Sequence, residues 1–309
     1  VDGIEEVLEQ FTADDVQANA ALRDRVAGAL VGHGARAGGP GVSGCGASPA
    51  VLRLVDAGSF RHGTAVRGAS RFDVFVVLGG ARPKSLGRAL ASIRPTVQNA
   101  LSDLVVTVTS DSVLVDAPAE ALAEGGLGDD SAAPAVRLRL IPAVEAPGDA
   151  GSAVVSVPDA ARRWVLNRPG ARVQLIDRID DSHLRSLIRL MLVWKHINRV
   201  PVSSYYLETA VVRQALRQPS FNLLWDLCWA FEQLAHDDLV NLPDLSSPSQ
   251  VQKVRAAETL GRRIEAQGPI DRAAVYARAA VNAYLDDDRM VVDARLAALF
   301  GTSFAALDR

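Results

Sequence analysis

Cysteine is nearly missing: Cys45 and Cys228 are the only two among 309 residues. They are far apart and outside any paired-cysteine spacing, which excludes a disulfide framework and a cysteine-rich zinc site. A reducing cytoplasm fits that scarcity and is the expected compartment. Long hydrophobic runs are missing too. No stretch of about 18 uninterrupted apolar residues occurs and no basic-then-apolar leader opens the chain, so a soluble protein without membrane contact is expected. Excess charge of one sign is absent, with a formal net charge of -3. That removes any global pull toward nucleic acid but leaves room for a local basic groove. Neither a solenoid-period repeat nor a long low-complexity tract is present. What remains is a chain 49% hydrophobic and 22% charged, a balance that buries a core and excludes wholesale disorder. Its length suits one large domain or two packed ones, with two favoured.

The chain changes character near residue 180. Before it, Ile4, Val7, Leu8, Phe11, Val16, Leu22, Val26 and Leu30 stand at helical spacing and predict one or two N-terminal helices. Gly34 to Ser48 is too rich in glycine for a regular element. Val51 to Val55 and Phe72 to Leu78 read as strands joined by a turn through Ala57–Thr64; Val105 to Val108, Val113 to Val115 and Val136 to Ile141 read as further strands, the last closed by Pro142. Pro83 to Leu104 has helical spacing, and Ala117 to Pro134 reads as a surface loop. After residue 180, five amphipathic helices are expected: Ser182–Asn198, Ser203–Arg217, Asn222–His236, Ser249–Gln267 and Asp271–Leu285, with prolines such as Pro269 between them. The expectation is an α/β (α+β) lobe with a mixed sheet over residues 1–178 and a mainly helical lobe over residues 179–309.

The turn after the first strand carries the chemistry. Gly58 and Ser59 have the form of a phosphate-cradling turn, because glycine lets backbone N–H groups and a neighbouring hydroxyl approach a polyphosphate. An ordinary tight turn has the same composition. Two positions apart on the next strand stand Arg71 and Asp73. Residues at i and i+2 face one side of a strand, where two acids could jointly hold Mg²⁺ against a nucleoside triphosphate. Here one of the two is arginine.

Gly58-Ser59-Phe60-Arg61-His62-Gly63-Thr64 followed by Ser70-Arg71-Phe72-Asp73-Val74 resembles the signature of polymerase-β-like nucleotidyltransferases. Trp164 to Pro169, Ser203-Ser204-Tyr205-Tyr206-Leu207-Glu208 and Leu299 to Phe304 resemble segments of the bacterial cyclic-oligonucleotide synthases called CD-NTases, which share a two-lobed plan with animal cGAS and the oligoadenylate synthases. That resemblance implies a third metal carboxylate on a strand ending in proline, where Leu138-Arg139-Leu140-Ile141-Pro142 has Arg139. It also implies that Ser59 and Ser204 touch triphosphate and that Tyr205 stacks on a base. Ser204 as a helix N-cap and Tyr205 as a half-buried anchor are the bland alternatives. In Arg189-Leu190-Met191-Leu192-Val193-Trp194 the lysine usual in the family two residues before the tryptophan is Leu192, and Lys195 lies about 300° around the helix from it.

Two-metal nucleotidyl transfer needs several anionic ligands, and two of the three positions are arginines. The expectation is therefore a catalytically inactive CD-NTase-like protein. It would bind a nucleotide, cyclic oligonucleotide or other phosphate ligand between the lobes through Gly58, Ser59, Arg71, Arg139, Ser204 and Tyr205, as a sensor or regulatory partner in antiphage signalling, with a protein partner. No cofactor is expected. Mg²⁺ enters only if the rival reading holds, an active enzyme using Asp73 with acids such as Glu145 or Asp56. A scaffold whose Arg71, Asp73 and Arg139 close into an ion-pair cluster is the third reading. His62, His183, His196 and His236 are dispersed and receive no role. Asp286, Asp287 and Asp288 read as a solvated turn, and Trp225 with Trp229 as a helix core stripe.

Overall fold

A computed structural model describes residues 2–12, 16–37, 50–117, 137–146, 153–159, 162–179, 182–218, 222–248 and 251–301. Residues 38–48 of the glycine-rich stretch, nearly all of the expected loop after Ala117, Cys45 and the end of the Leu299–Phe304 match lie outside them.

The first half forms a seven-stranded mixed sheet. Strands β1 (Val51–Ala57), β2 (Phe72–Leu78), β3 (Val105–Val108), β4 (Val113–Asp116) and β5 (Arg137–Glu145) take the order β1-β2-β5-β4-β3, and β6 (Val155–Pro158) and β7 (Trp164–Asn167) extend it from β5. Only β2 and β5 run parallel. Strand alternation sorts their residues cleanly. Val74, Val76, Leu138, Leu140, Val113 and Val115 pack against Leu22, Val26 and Leu30 of α2 (Val16–Ala37) and Ile93 and Val97 of α4 (Leu86–Ala100). Phe75, Val77, Ile141 and Ala143 face the other way, toward Val155 and Val157. That leaves Asp73 and Arg139 on the second face, near the sheet's end.

Two prolines fall inside elements that sequence reasoning had them close. β5 continues through Pro142 to Glu145. The proline sits between the last residue paired to β4, Leu140, and the first paired to β6, Val144, so its missing N–H costs no bond on that edge. The expected helices on either side of Pro269 are one helix, α9 (Leu260–Leu285), while residues 251–259 are not helical. An interior proline costs about 3 kcal/mol; buried Ala266, Ile270, Ala273 and Ala277 offset it by packing along the same helix.

The remaining helices follow the expected periodicity. α6 (Ser182–Ile197), α7 (Ser204–Arg217) and α8 (Leu223–His236) pack with α9 and α10 (Arg289–Phe300) around Trp194 and Phe231, whose rings meet edge to face at 4.8 Å. Helix α1 (Asp2–Phe11) adds Ile4 and Val7 to this helical core rather than to the sheet. α2 extends through Ala37, into residues expected as loop. The acidic run closes α9 and opens α10, where Asp288 accepts the N–H of Val291. Trp225 packs partly against the core, 5.9 Å from Trp229 between ring centroids.

A buried polar cluster ties the helical layer to the turn after β1. Arg172 of α5 (Ala171–Ile179) donates to Thr209 Oγ1 at 2.8 Å and lies 3.6 Å from Glu208 and 3.5 Å from Asp244. Glu208 also meets His62 Nδ1 at 2.9 Å and Thr64 Oγ1 at 3.5 Å. His62 ends α3 (Gly58–His62), the turn bearing Ser59. Burial pushes the Glu208 carboxyl upward, but His62 and Arg172 outweigh it and hold the group below the ordinary range. Removing one partner from a buried ionic cluster leaves an uncompensated charge. Arg172→Met is accordingly expected to lower unfolding free energy by roughly 3 to 5 kcal/mol in urea titrations; a loss below about 1 kcal/mol would remove the cluster from its structural role.

Candidate functional site

The site grows from strand register. Asp73 of β2 stands beside Arg139 of β5 in the parallel pair and opposite Ala57 of β1. Arg139 Nε lies 3.5 Å from Asp73 Oδ1, an ion contact without hydrogen-bond geometry. Arg71 precedes β2 and sends its guanidinium to Asp116 Oδ1 at 3.4 Å, at the end of β4. Because Asp116 pairs with Arg137 and lies two residues from Leu114, the partner of Arg139, alternation puts Arg137 and Asp116 on the same face. Each arginine at a position expected to be acidic therefore meets a carboxylate at the edge of hydrogen-bond range, and none of these side chains is sealed from solvent.

Gly58 is required here. Its φ is +67°, and a Cβ on it would come within 2.5 Å of Asp73 Oδ2, so the backbone of the turn lies directly against the carboxyl. Burial raises the Asp73 pKa above the usual carboxylate range, with Arg139 the largest opposing influence, then His62. The turn is pinned from the other side by α6, where Arg185 donates to the His62 carbonyl at 2.9 Å and Arg189 to the Gly63 carbonyl at 2.8 Å. The Ser59 carbonyl accepts from Thr64 N at 2.8 Å, which links Ser59 through Thr64 to Glu208 of α7.

In the helical layer, Ser204 and Tyr205 begin α7. The N-cap is Ser203, whose Oγ accepts the Tyr206 N–H. Ser204 is thus not the cap, and its exposed Oγ receives Lys195 Nζ at 2.6 Å. Leu192 turns into the core, 6% exposed, while Lys195 reaches the place where α6 and α7 meet. Burial, and after it the Arg139 charge, lower the Lys195 pKa to about 8. That coupling joins Lys195 to the Arg139 side of the site. Tyr205 is half-buried: the Arg172 guanidinium sits 4.4 Å above its ring, and its hydroxyl donates to Asp244 at 3.1 Å. Burial pushes that hydroxyl up to about 12. The tyrosine is an anchor of the buried cluster, with one ring face covered.

Arg71, Arg139 and Lys195, with Arg137 on the same strand face, thus lie on the side of the sheet that carries Asp73 and Asp116, and the Asp111 charge also acts on Asp73. These residues do not fit a divalent cation, which needs several anionic oxygens. Among the described residues, no three His, Cys, Asp or Glu side chains come together in a way that could hold one. The acids considered as substitutes lie elsewhere. Asp56 pairs with Val74, on the opposite sheet face, and accepts from Arg23 Nε at 2.9 Å. Glu145 is six residues along β5 from Arg139, about 20 Å away at strand rise, near Arg53. Lys195, Asp116 and Arg137 are the site residues that sequence reasoning left without a role.

No protein-family model matches the sequence, and no curated protein matches it. Solved structures do. The CdnC protein of E. coli MS115-1, solved with ATP, shares 17% identity at a TM-score of 0.71, covering 98% of this chain and 98% of that one; the same protein is also solved in a CdnC:HORMA-deltaN complex. The CD-NTase CdnG of Bradyrhizobium diazoefficiens, in complex with GTP, shares 13% at 0.67, covering 99% and 96%. The cyclic AMP-GMP synthase DncV of Vibrio cholerae, with a linear intermediate, shares 15% at 0.58, covering 81% and 68%. The fold is that of the CD-NTases. No described helix is long and apolar enough to cross a membrane.

The lysine gives a measurable sign. With its pKa near 8 in the folded protein and about 10.4 when unfolded, the folded state binds fewer protons between those values, so stability rises with pH across that window. The cost of holding Lys195 charged is fully present below pH 8. Urea unfolding of the native protein and of Lys195→Met is expected to show the native protein gaining on the variant from pH 8 to 10; a constant difference contradicts the assignment.

Proposed function

Starting from a CD-NTase fold with guanidiniums where metal carboxylates are expected, we propose that this protein binds the phosphates of a nucleotide without a divalent cation and does not catalyse nucleotidyl transfer. The observation that carries the reading is Arg139: it stands in register beside Asp73, touches it only loosely at 3.5 Å, and makes no side-chain hydrogen bond among the described residues. Its Nε is buried but the side chain is 37% exposed, so its terminal nitrogens are available to an anion, and guanidinium binds phosphate oxygens through strong charge-assisted bonds. Ser59 and Ser204 supply hydroxyls, Gly58 close backbone approach, and Lys195 and Arg71 further positive charge. The nucleotide class is supported by CdnC with ATP and CdnG with GTP.

Without metal, the site lacks the means to lower the pKa of an attacking hydroxyl. The protein then acts through what it binds, as a regulatory or sensing partner in antiphage signalling; the CdnC:HORMA-deltaN complex makes a protein partner a reasonable reading for this chain too. The scaffold reading rests on a specific observation of its own: Arg139 and Arg71 each already face an aspartate. Exposure favours binding. Arg139 and Asp73 are 37% and 21% exposed, and Arg71 and Asp116 30% and 34%, and pairs this open are worth little by themselves.

Calorimetric titration with ATP in EDTA separates these readings. Binding is expected to survive the chelator. Arg71→Asp combined with Arg139→Asp should weaken it at least about tenfold, since each charge-assisted hydrogen bond is worth roughly 1.5 to 3 kcal/mol. No binding by the native protein to any nucleotide or cyclic oligonucleotide leaves the scaffold ahead, and binding abolished by EDTA restores the enzyme.

A further inference from the structure

Lys195 belongs to two places at once. Its Nζ reaches Ser204, yet it also lines a cavity of about 560 Å³ on the far turn of α6 together with Phe11, His196, Ile197, Arg199 and Val200. None of Gly58, Ser59, Arg71, Arg139, Ser204 and Tyr205 lines that cavity. Its volume falls within the range of small-ligand sites, roughly 300 to 1,000 Å³.

The lining divides by chemistry. Phe11, Ile197 and Val200 provide an aromatic and aliphatic wall, and Lys195, His196 and Arg199 provide cations or potential cations. No carboxylate among the described residues pairs with any of these three. Phe11 is fixed in place: its carbonyl accepts the Arg67 N–H at 2.8 Å, and the next residue, Thr12, bridges to Val66. Those contacts attach the end of α1 to the segment that leads into Arg71 and Asp73. The link between the cavity and the phosphate site is Lys195, which lines the one and reaches Ser204 of the other at 2.6 Å.

An apolar, aromatic wall beside a cationic rim is suited to a flat ring that carries phosphate, because the ring gains stacking and apolar burial while the phosphates keep their counter-charges. Tyr205, the residue that the family resemblance assigns to base stacking, has one face under Arg172 and its hydroxyl tied to Asp244. We infer that the Phe11 cavity is the base subsite of this protein: it takes the ring of a purine nucleoside triphosphate whose phosphates extend past Lys195 toward Ser204 and Arg139. This rests on the metal-independent phosphate binding proposed above and adds where the base goes and which residues select it.

The test uses the full chain in EDTA, titrated calorimetrically with ATP and, separately, with inorganic tripolyphosphate. The native protein is expected to bind ATP more tightly than tripolyphosphate. Phe11→Leu keeps an apolar side chain in the helical core but removes the ring; it should weaken ATP at least about fivefold, the lower end of a base–aromatic stack, and leave tripolyphosphate unchanged. Arg199→Ala, at an exposed position that the core does not need, should weaken ATP as well. Equal affinities of the native protein for ATP and tripolyphosphate, or ATP binding that falls with Arg139→Asp but is indifferent to both Phe11→Leu and Arg199→Ala, overturn the base subsite while leaving the phosphate reading intact. Absence of binding by either compound overturns both.

Discussion

Everything at the candidate site depends on the parallel pairing of β2 with β5. That pairing sets Asp73 next to Arg139 in register, and strand alternation then decides which residues share their face: Asp73 from β2 with Arg71 just before it, Arg137 and Arg139 from β5, Asp116 from β4. A slip of one residue would send the whole set into the core against α2 and α4. The apolar residues that alternate with them, Val74, Val76, Leu138 and Leu140, are fully buried and make such a slip prohibitively costly. The hydrophobic pattern that folds the sheet is thus the same pattern that aims the charges.

Charge then determines what the site can do. A carboxylate cluster collects cations; a face where guanidiniums and Lys195 stand beside Asp73 and Asp116 is, in the function proposed above, one that takes an anion. The helical layer adds to it by a separate route. The buried cluster of Arg172, Glu208, His62 and Asp244 fixes α7 against the turn that carries Ser59, which brings Ser204 to the site and leaves its hydroxyl for Lys195. Tyr205 is drawn into that cluster through its hydroxyl and one ring face. The cluster is deeply buried, the cationic face is open, and the two meet at α3 and α7.

Much of this was legible from residue order, and the misses have physical causes. The strand of Phe72–Leu78 and the helices of Trp194, Tyr206 and Phe231 announce themselves through period-2 and period-3.6 patterns. The arginines at acidic positions are visible because i and i+2 must share a strand face. Asp116 was missed because alternation of apolar residues stops at Val115, and a polar residue after a strand looks like loop until a neighbouring guanidinium claims it. Lys195 was doubtful because helical angle alone points it away from the Leu192 direction; the short connection from Asn198 to Ser203 folds α7 back to meet it, a tertiary fact. Pro142 and Pro269 were read as terminators, a reading that fails where no neighbour on that edge needs the N–H, as at Pro142, or where packing offsets the lost bond, as at Pro269.

The central claim is that a guanidinium, not a metal, receives phosphate beside Asp73. Crystals grown with ATP and Mn²⁺ and measured for manganese anomalous scattering test it directly. The account predicts triphosphate density on the Arg139 guanidinium and no anomalous peak within coordinating distance of Asp73. A manganese peak held by the Asp73 carboxylate, with Arg139 turned away, would contradict it.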